Sequence, residues 1–234
     1  MRYLAGLILI SLAFCQSFEV ASVRTDVSGS GHHGIDTDGN LLRMTNLPLK
    51  SAIAWAYNLT EAQILGPDWL GSNMYDITAK AESGAPKPEM LQALLKERFK
   101  MITHQETRDL PIYELVVAKN GPKLTKSADG SGGKTSSGPG RLSVQSEPMG
   151  WLALLLAGRR ADLGRPVVDK TGLAGCFDFE LKWTPDRDAL KASADAPPSI
   201  FVALQEQLGL KLEARKGPVE VLVVDRVEKV PVEN

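Results

Sequence analysis

Cysteine and histidine are nearly absent from this 234-residue chain, which has two cysteines, Cys15 and Cys176, and three histidines, His32, His33 and His104. Cys15 lies in an N-terminal leader pattern, so the mature chain is expected to keep one thiol. It then forms no internal disulfide, and its fold must be held by a core. Three histidines, two of them adjacent in a glycine-rich stretch, do not make a four-ligand zinc site. A net charge of -1 gives no broad basic field, which argues against nucleic acid or an anionic membrane surface as partner. Beyond the N-terminus no apolar run approaches the roughly 20 residues of a membrane span. No serine sits in a G-x-S-x-G elbow, and with so few histidines a Ser-His-Asp site has little to draw on.

What is present begins with Arg2, the short apolar run Leu4–Phe14, and Cys15-Gln16-Ser17 before Phe18. This is the pattern of a secretory signal peptide cleaved before Phe18. A lipid anchor on Cys15 is the alternative, opposed by the bulky Phe14. The expected organisation is a signal peptide over 1–17, a first module over 18–126, a flexible Gly/Ser linker over 127–139 and a second module over 140–234. Localisation is then periplasmic or extracellular.

The stretch Leu163–Trp183 organises the rest. A loop dense in turn formers runs into a strand that alternates Phe177, Phe179, Leu181 and Trp183. Gly66–Gly71 leading into Tyr75-Asp76-Ile77-Thr78-Ala79-Lys80 is a looser copy. In the first half, Leu42 and Met44 alternate as a strand, Asn46 is placed to cap a helix, and Leu49, Ala52, Ile53, Ala56 and Tyr57 form one helical face. Ser28–Asn40 reads as loop. A second helix opens at Pro88, and two strands follow over Phe99–Glu106 and Ile112–Ala118, with Pro111 in the join. The second half repeats the order through Leu142, Val144, a helix from Met149 with Leu152, Leu155 and Leu156 inward, and Ile200, Leu204 and Leu208. The fold class is therefore α+β: two duplicated β-α-β-α-β-β modules, small sheets with helices packed on one face.

Each motif that suggests chemistry lacks the context its chemistry needs. Ala128–Thr135 fits a relaxed phosphate loop, but no helix can start in Ser136–Gly140 to aim its N-terminus at a phosphate. Asp36, Asp38 and Asn40 resemble the start of a calcium loop without its later glutamate. Asp109, Asp169 and Asp178 fall in or beside turns, where aspartate bonds to nearby backbone. Asn58-Leu59-Thr60 is formally a glycosylation acceptor. Cys176 and the tryptophans Trp69, Trp151 and Trp183 read as core. No catalytic, cofactor-binding or metal-binding residue is nominated.

Phe18–Arg24, Asp76–Lys80, Glu97–Lys100, Glu106–Pro111, Gly164–Leu173 and Ala203–Leu212 together resemble a soil-associated, Acidobacteria-enriched family of secreted proteins of unknown function. The resemblance covers essentially the whole mature chain. It implies export, and a domain that elsewhere is attached to membrane metallopeptidases of the antibiotic-sensor type. This chain has no H-E-x-x-H, so no proteolytic residue carries over. The element order is also similar to that of the short α+β domain at the N-termini of secretins and TonB-dependent signalling receptors. The expected function is an exported, non-catalytic binding or protein-interaction module with a protein, peptide or cell-envelope ligand. The alternative is a secreted hydrolase with an acid–base site assembled between the modules.

Overall fold

The computed structural model describes residues 17–26, 33–127, 133–158, 161, 163–185 and 196–232. Residues 1–16 of the expected leader, His32, residues 128–132 of the phosphate-loop motif and most of the Asp186–Pro198 segment lie outside them.

The chain is α+β, and its described residues form three four-stranded sheets. The first is antiparallel, in the order β1 (Phe18–Thr25), β5 (Met74–Ala81), β3 (Leu41–Pro48), β2 (Gly34–Asp38). Leu42, Met44, Tyr75, Ile77 and Ala79 alternate inward from it. They bury against α1 (Leu49–Tyr57) and α2 (Pro88–Arg98) in one cluster. The second sheet has the matching order β7 (Thr125–Lys126), β11 (Cys176–Lys182), β9 (Arg141–Pro148), β8 (Lys134–Gly138). Phe177, Phe179, Leu181, Leu142 and Val144 point into its cluster with α3 (Met149–Ala157) and α4 (Ile200–Ala203), which continues as a π turn over Leu204–Leu208.

Between them lies a sheet ordered β10 (Val167–Asp169), β6 (Ile102–Val117), β12 (Leu210–Arg226), β4 (Ile64–Leu65). Its centre is the long antiparallel ribbon of β6 and β12. Here the expectation of two strands either side of Pro111 is corrected, because β6 runs unbroken for 16 residues. The amides of Tyr113 and the carbonyl of Leu115 point toward the β10 side, bonding Pro166 and Lys170. By the same alternation the N–H that Pro111 lacks would point that way too, past the end of β10, where there is no ladder to interrupt. Pro218 sits correspondingly on β12, facing Asp109.

The register of the ribbon is self-consistent under exchange of its strands. Leu110 faces Gly217, Pro111 faces Lys216 and Asp109 faces Pro218. An operation that carries Leu110 to Gly217 carries Pro111 to Pro218 and preserves these pairs. The short parallel strands follow suit: β4 pairs Leu222 and Val223 of β12, and β10 pairs Tyr113–Leu115 of β6. The ribbon also carries each half of the chain into the other's core. Leu222 and Val224 bury in the first cluster, and Leu115 in the second.

Two further expectations are corrected. Gly34–Asp38 and Lys134–Gly138 are strands and not loop or linker, each closing a hairpin onto the next strand. Both have polar sequences, but each gains ladder bonds along one side from a well-patterned neighbour. The turns decide this: Gly39 (φ +55) leads the first, and Pro139-Gly140 (Gly140 φ +66) makes the second. A Cβ on Gly140 would also lie 2.3 Å from the Trp183 carbonyl oxygen.

Candidate functional site

The helices that matter most for function are α1 and α3, and the same local device launches both. Asn46 in β3 and Ser146 in β9 take positive φ, +47 and +59, where each strand bulges against its neighbour. The strand opposite supplies a carboxylate to each of these part-buried amides. Asn46 N–H donates to Asp76 Oδ1 at 2.8 Å, and Ser146 N–H to Asp178 Oδ1 at 2.8 Å. Pro48 and Pro148 then end the ladder, and the helices start at the next residue. Asn46 is therefore not a helix cap, and Asp178 bonds across strands and not to its own turn. The repeated Tyr-Asp and Phe-Asp pairs of the two halves are these clamps.

Set in this way, α1 and α3 face each other across a cleft. Its outer hollow, about 530 Å³, is walled by Ala54, Trp55 and Leu59 on one side and Trp151, Leu154 and Leu155 on the other. Among the described residues, none that lines this hollow is charged. An inner hollow of about 390 Å³ continues from it, sharing Asn58, Leu59, Leu154 and Gly158. There the small residues Gly150, Ala153 and Ala157 form one wall, and Val167–Asp169 of β10 with Val219 and Glu220 of β12 close the bottom. Sequence reasoning missed Trp55, Leu59 and Leu154, and placed Leu155 and Trp151 in the core. The signal that finds them is α3 itself, Met-Gly-Trp-Leu-Ala-Leu-Leu-Leu-Ala, which has no polar residue with which to face water.

The residues singled out for chemistry are scattered. His33 precedes β2, and Asp36 and Asp38 lie exposed on that hairpin. His104 stands on the ribbon with its Nδ1 2.9 Å from Asp225 Oδ2, and this hydrogen bond raises its pKa above the usual histidine range. Asp169 accepts from the N–H and the hydroxyl of Thr171, as a turn-forming aspartate should. Lys134 and Thr135 belong to β8, and Thr135 touches the outer hollow. Asn58 ends α1 with φ +52 at the cleft rim. Cys176 is half-buried, and Trp183 alone of the three nominated tryptophans is fully core. Trp69 is partly exposed beneath the Lys229 ammonium, 5.5 Å from its ring centre. Among the described residues no three His, Cys, Asp or Glu side chains are grouped to hold a metal ion. Burial raises the Tyr75 phenol, and the Lys211 hydrogen bond lowers Glu213, but neither residue lines the cleft.

Residues 50–227 match a family model described as a protein of unknown function, DUF3738. The chain belongs to that family. The whole cleft, from Ala54 to Glu220, falls within the matched residues. No curated protein and no solved structure matches the chain. Among the described residues no helix is long and apolar enough to cross a membrane.

Proposed function

We propose that this member of the family is an exported, non-catalytic binding module, and that the cleft between α1 and α3 is its binding surface. The observation that carries the reading is the outer hollow, a concavity with two tryptophans whose described lining residues are mostly apolar, built where the halves of the chain meet. Concave, largely apolar sites with a few polar groups at the edge are the usual form of a binding site. Asn58 and Thr135 supply such groups here.

Export rests on Arg2, the run Leu4–Phe14 and the small residues before Phe18. The duplicated-module reading is supported by the matching orders of the outer sheets, the paired aspartate clamps and the exchange-consistent register of the ribbon. The soil-associated, secreted character of the resembling family agrees with this reading.

The test combines binding and turnover. Protein recovered from periplasm or medium should begin near Phe18 by mass spectrometry. An apolar fluorescent probe should bind saturably, quench tryptophan emission, and lose affinity in Trp151→Ala and Trp55→Ala. If the hydrolase alternative holds instead, a broad substrate panel will show turnover abolished by Glu220→Gln, since among the described residues Glu220 is the carboxylate lining the inner hollow that no turn engages.

A further inference from the structure

We infer that the outer edge of β1 is a self-association surface, where β1 of a second copy pairs antiparallel about a two-fold axis at Ser22. This surface is separate from the cleft: no described residue that lines the hollow beside it lines either cleft hollow.

β1 is an edge strand, and among the described residues it pairs with β5 alone. One bond at its end fixes the direction of its main-chain groups. Asp26 N–H donates to the Met74 carbonyl, so from Val20 to Asp26 the even-numbered residues turn N–H and C=O toward β5. Those of Ala21, Val23 and Thr25 turn outward. The partner that matches such a row is another extended main chain, whose donors and acceptors alternate at the same spacing. The corresponding edge in the other half is blunted, since β7 has two residues and Gln207 takes the edge at Lys182. β1 runs for eight residues with no proline and no lysine.

Charge identifies the added strand as a second β1. With the axis at Ser22, Ala21 faces Val23 of the second copy and Val23 faces its Ala21, so outward groups meet outward groups. On the outer face Arg24 comes opposite Val20 of the second copy, beside Glu19, and covers a valine that is 61% exposed in the single chain. Glu19 shares that face, because it pairs with Lys80 at 3.2 Å while keeping its side chain 48% exposed. Opposite charges therefore meet at both ends, and neither charge of β1 meets its own kind. The outer strands β2 and β8 carry charge of one sign only, Asp36 and Asp38 or Lys134, and offer no such complement to themselves.

The inner face leaves room for the second copy. A hollow of about 300 Å³ lies between Ser17–Ala21 and the α2 residues Met90, Ala93 and Leu94, with Glu97 and Arg98 also on its wall. Ala21 and Val23 pair with Ala79 and Ile77, which are core residues, so their side chains lie on this face. Val23 of the second copy then enters the hollow beside Ala21, a large side chain next to a small one. The same contact recurs across the axis.

Sedimentation equilibrium and amide exchange on the protein as cells produce it are the test. Dimer should be the main species at about 100 μM, which corresponds to a Kd at or below about 10 μM. The Ala21 and Val23 amides should exchange slowly at that concentration and faster on dilution. Ser22 is exposed, so Ser22→Lys and Ser22→Glu set a charge against its own copy without touching the core. Each variant should sediment as a monomer with the thermal midpoint of dilute wild type, and an equimolar mixture of the two should recover dimer. A wild-type monomer at that concentration overturns the inference, as does a dimer that both Ser22 variants retain. Ala21 and Val23 amides that exchange slowly at every concentration also overturn it, because the chain's own residues would then cover the edge. None of these outcomes alters probe binding in the cleft, which Trp55→Ala and Trp151→Ala report separately.

Discussion

Asp178 and Asp76 each accept a hydrogen bond from a backbone amide at a bulge. Ser146 and Asn46 sit in left-handed conformations that a β-carbon disfavours by about 1–2 kcal/mol per residue. The carboxylate bonds offset that strain and fix where the strand ends and the helix begins. Asp178→Ala should therefore lower stability in urea unfolding by about 1.5–3 kcal/mol, the range for a hydrogen bond to a charged group. Asp178→Asn, which keeps an acceptor, should lose clearly less, and equal losses would mean that the bond at Ser146 is not what matters. His104 gives a pH-dependent counterpart on the ribbon. Its pKa is raised chiefly by the Asp225 hydrogen bond, with the charges of Asp225 and Glu106 adding, and with desolvation and Arg108 opposing. The folded value exceeds the unfolded value of about 6.5, so the pair's contribution is fully present below that pH. It is lost as pH rises through the folded value. An NMR titration should show the His104 midpoint above the ordinary range, and Asp225→Asn should bring it down; an unmoved midpoint would reject the pairing.

Among the elements, β11 shows how the two outer sheets differ while keeping one plan. In the first sheet β1 accompanies β5 from Tyr75 to Ala81. In the second, β7 reaches only Phe177 and Asp178. Farther along the same edge, Gln207 takes the place of a strand at Lys182. Its Oε1 accepts from Lys182 N–H at 2.9 Å, and its Nε2 donates to the Lys182 carbonyl at 2.7 Å. The π turn Leu204–Leu208 carries Gln207 there, and Gly209 (φ +65) ends it. A β-carbon on Gly209 would sit 2.1 Å from the Gly121 carbonyl oxygen, so the closing turn requires glycine. Gln207→Ala should speed amide exchange at Lys182 and lower stability by about 1 kcal/mol, the scale of an ordinary exposed hydrogen bond or two. Unchanged exchange at Lys182 would show that water replaces the amide without loss.

For the whole molecule, the exchange of ribbon ends makes the halves interdependent. The first core is incomplete without Leu222 and Val224, and the second without Leu115, each at most 4% exposed. β7, which precedes residue 127, belongs to the second sheet. A protease site inserted within residues 128–132 should therefore yield, after cleavage, two fragments that elute together and keep the near-ultraviolet dichroism of the intact chain. Separated in denaturant and refolded alone, each should lack a cooperative transition, because removing even one buried leucine contact of this kind typically costs about 2–5 kcal/mol. A cooperative transition in either isolated fragment would show that the exchanged residues are dispensable.

Local pattern determined much of the fold. Alternation fixed β3, β5, β9 and β11, helical spacing fixed α1, and Pro88 marked the start of α2, because each of these depends on neighbours only a few residues away. Pro111 misled, since whether a proline breaks a strand depends on which side of it another strand lies. Gly34–Asp38 and Lys134–Gly138 became strands through the ladders their neighbours offered, although their own side chains favour loop. The cleft was legible only as an oddity, a helix without polar residues, whose face toward α1 could not be known while the launching bulges at Asn46 and Ser146 were hidden. Sequence periodicity determines which face of an element is apolar. Only the tertiary structure decides which apolar face is left uncovered, because that depends on where the ribbon of β6 and β12 sets the two halves that carry α1 and α3.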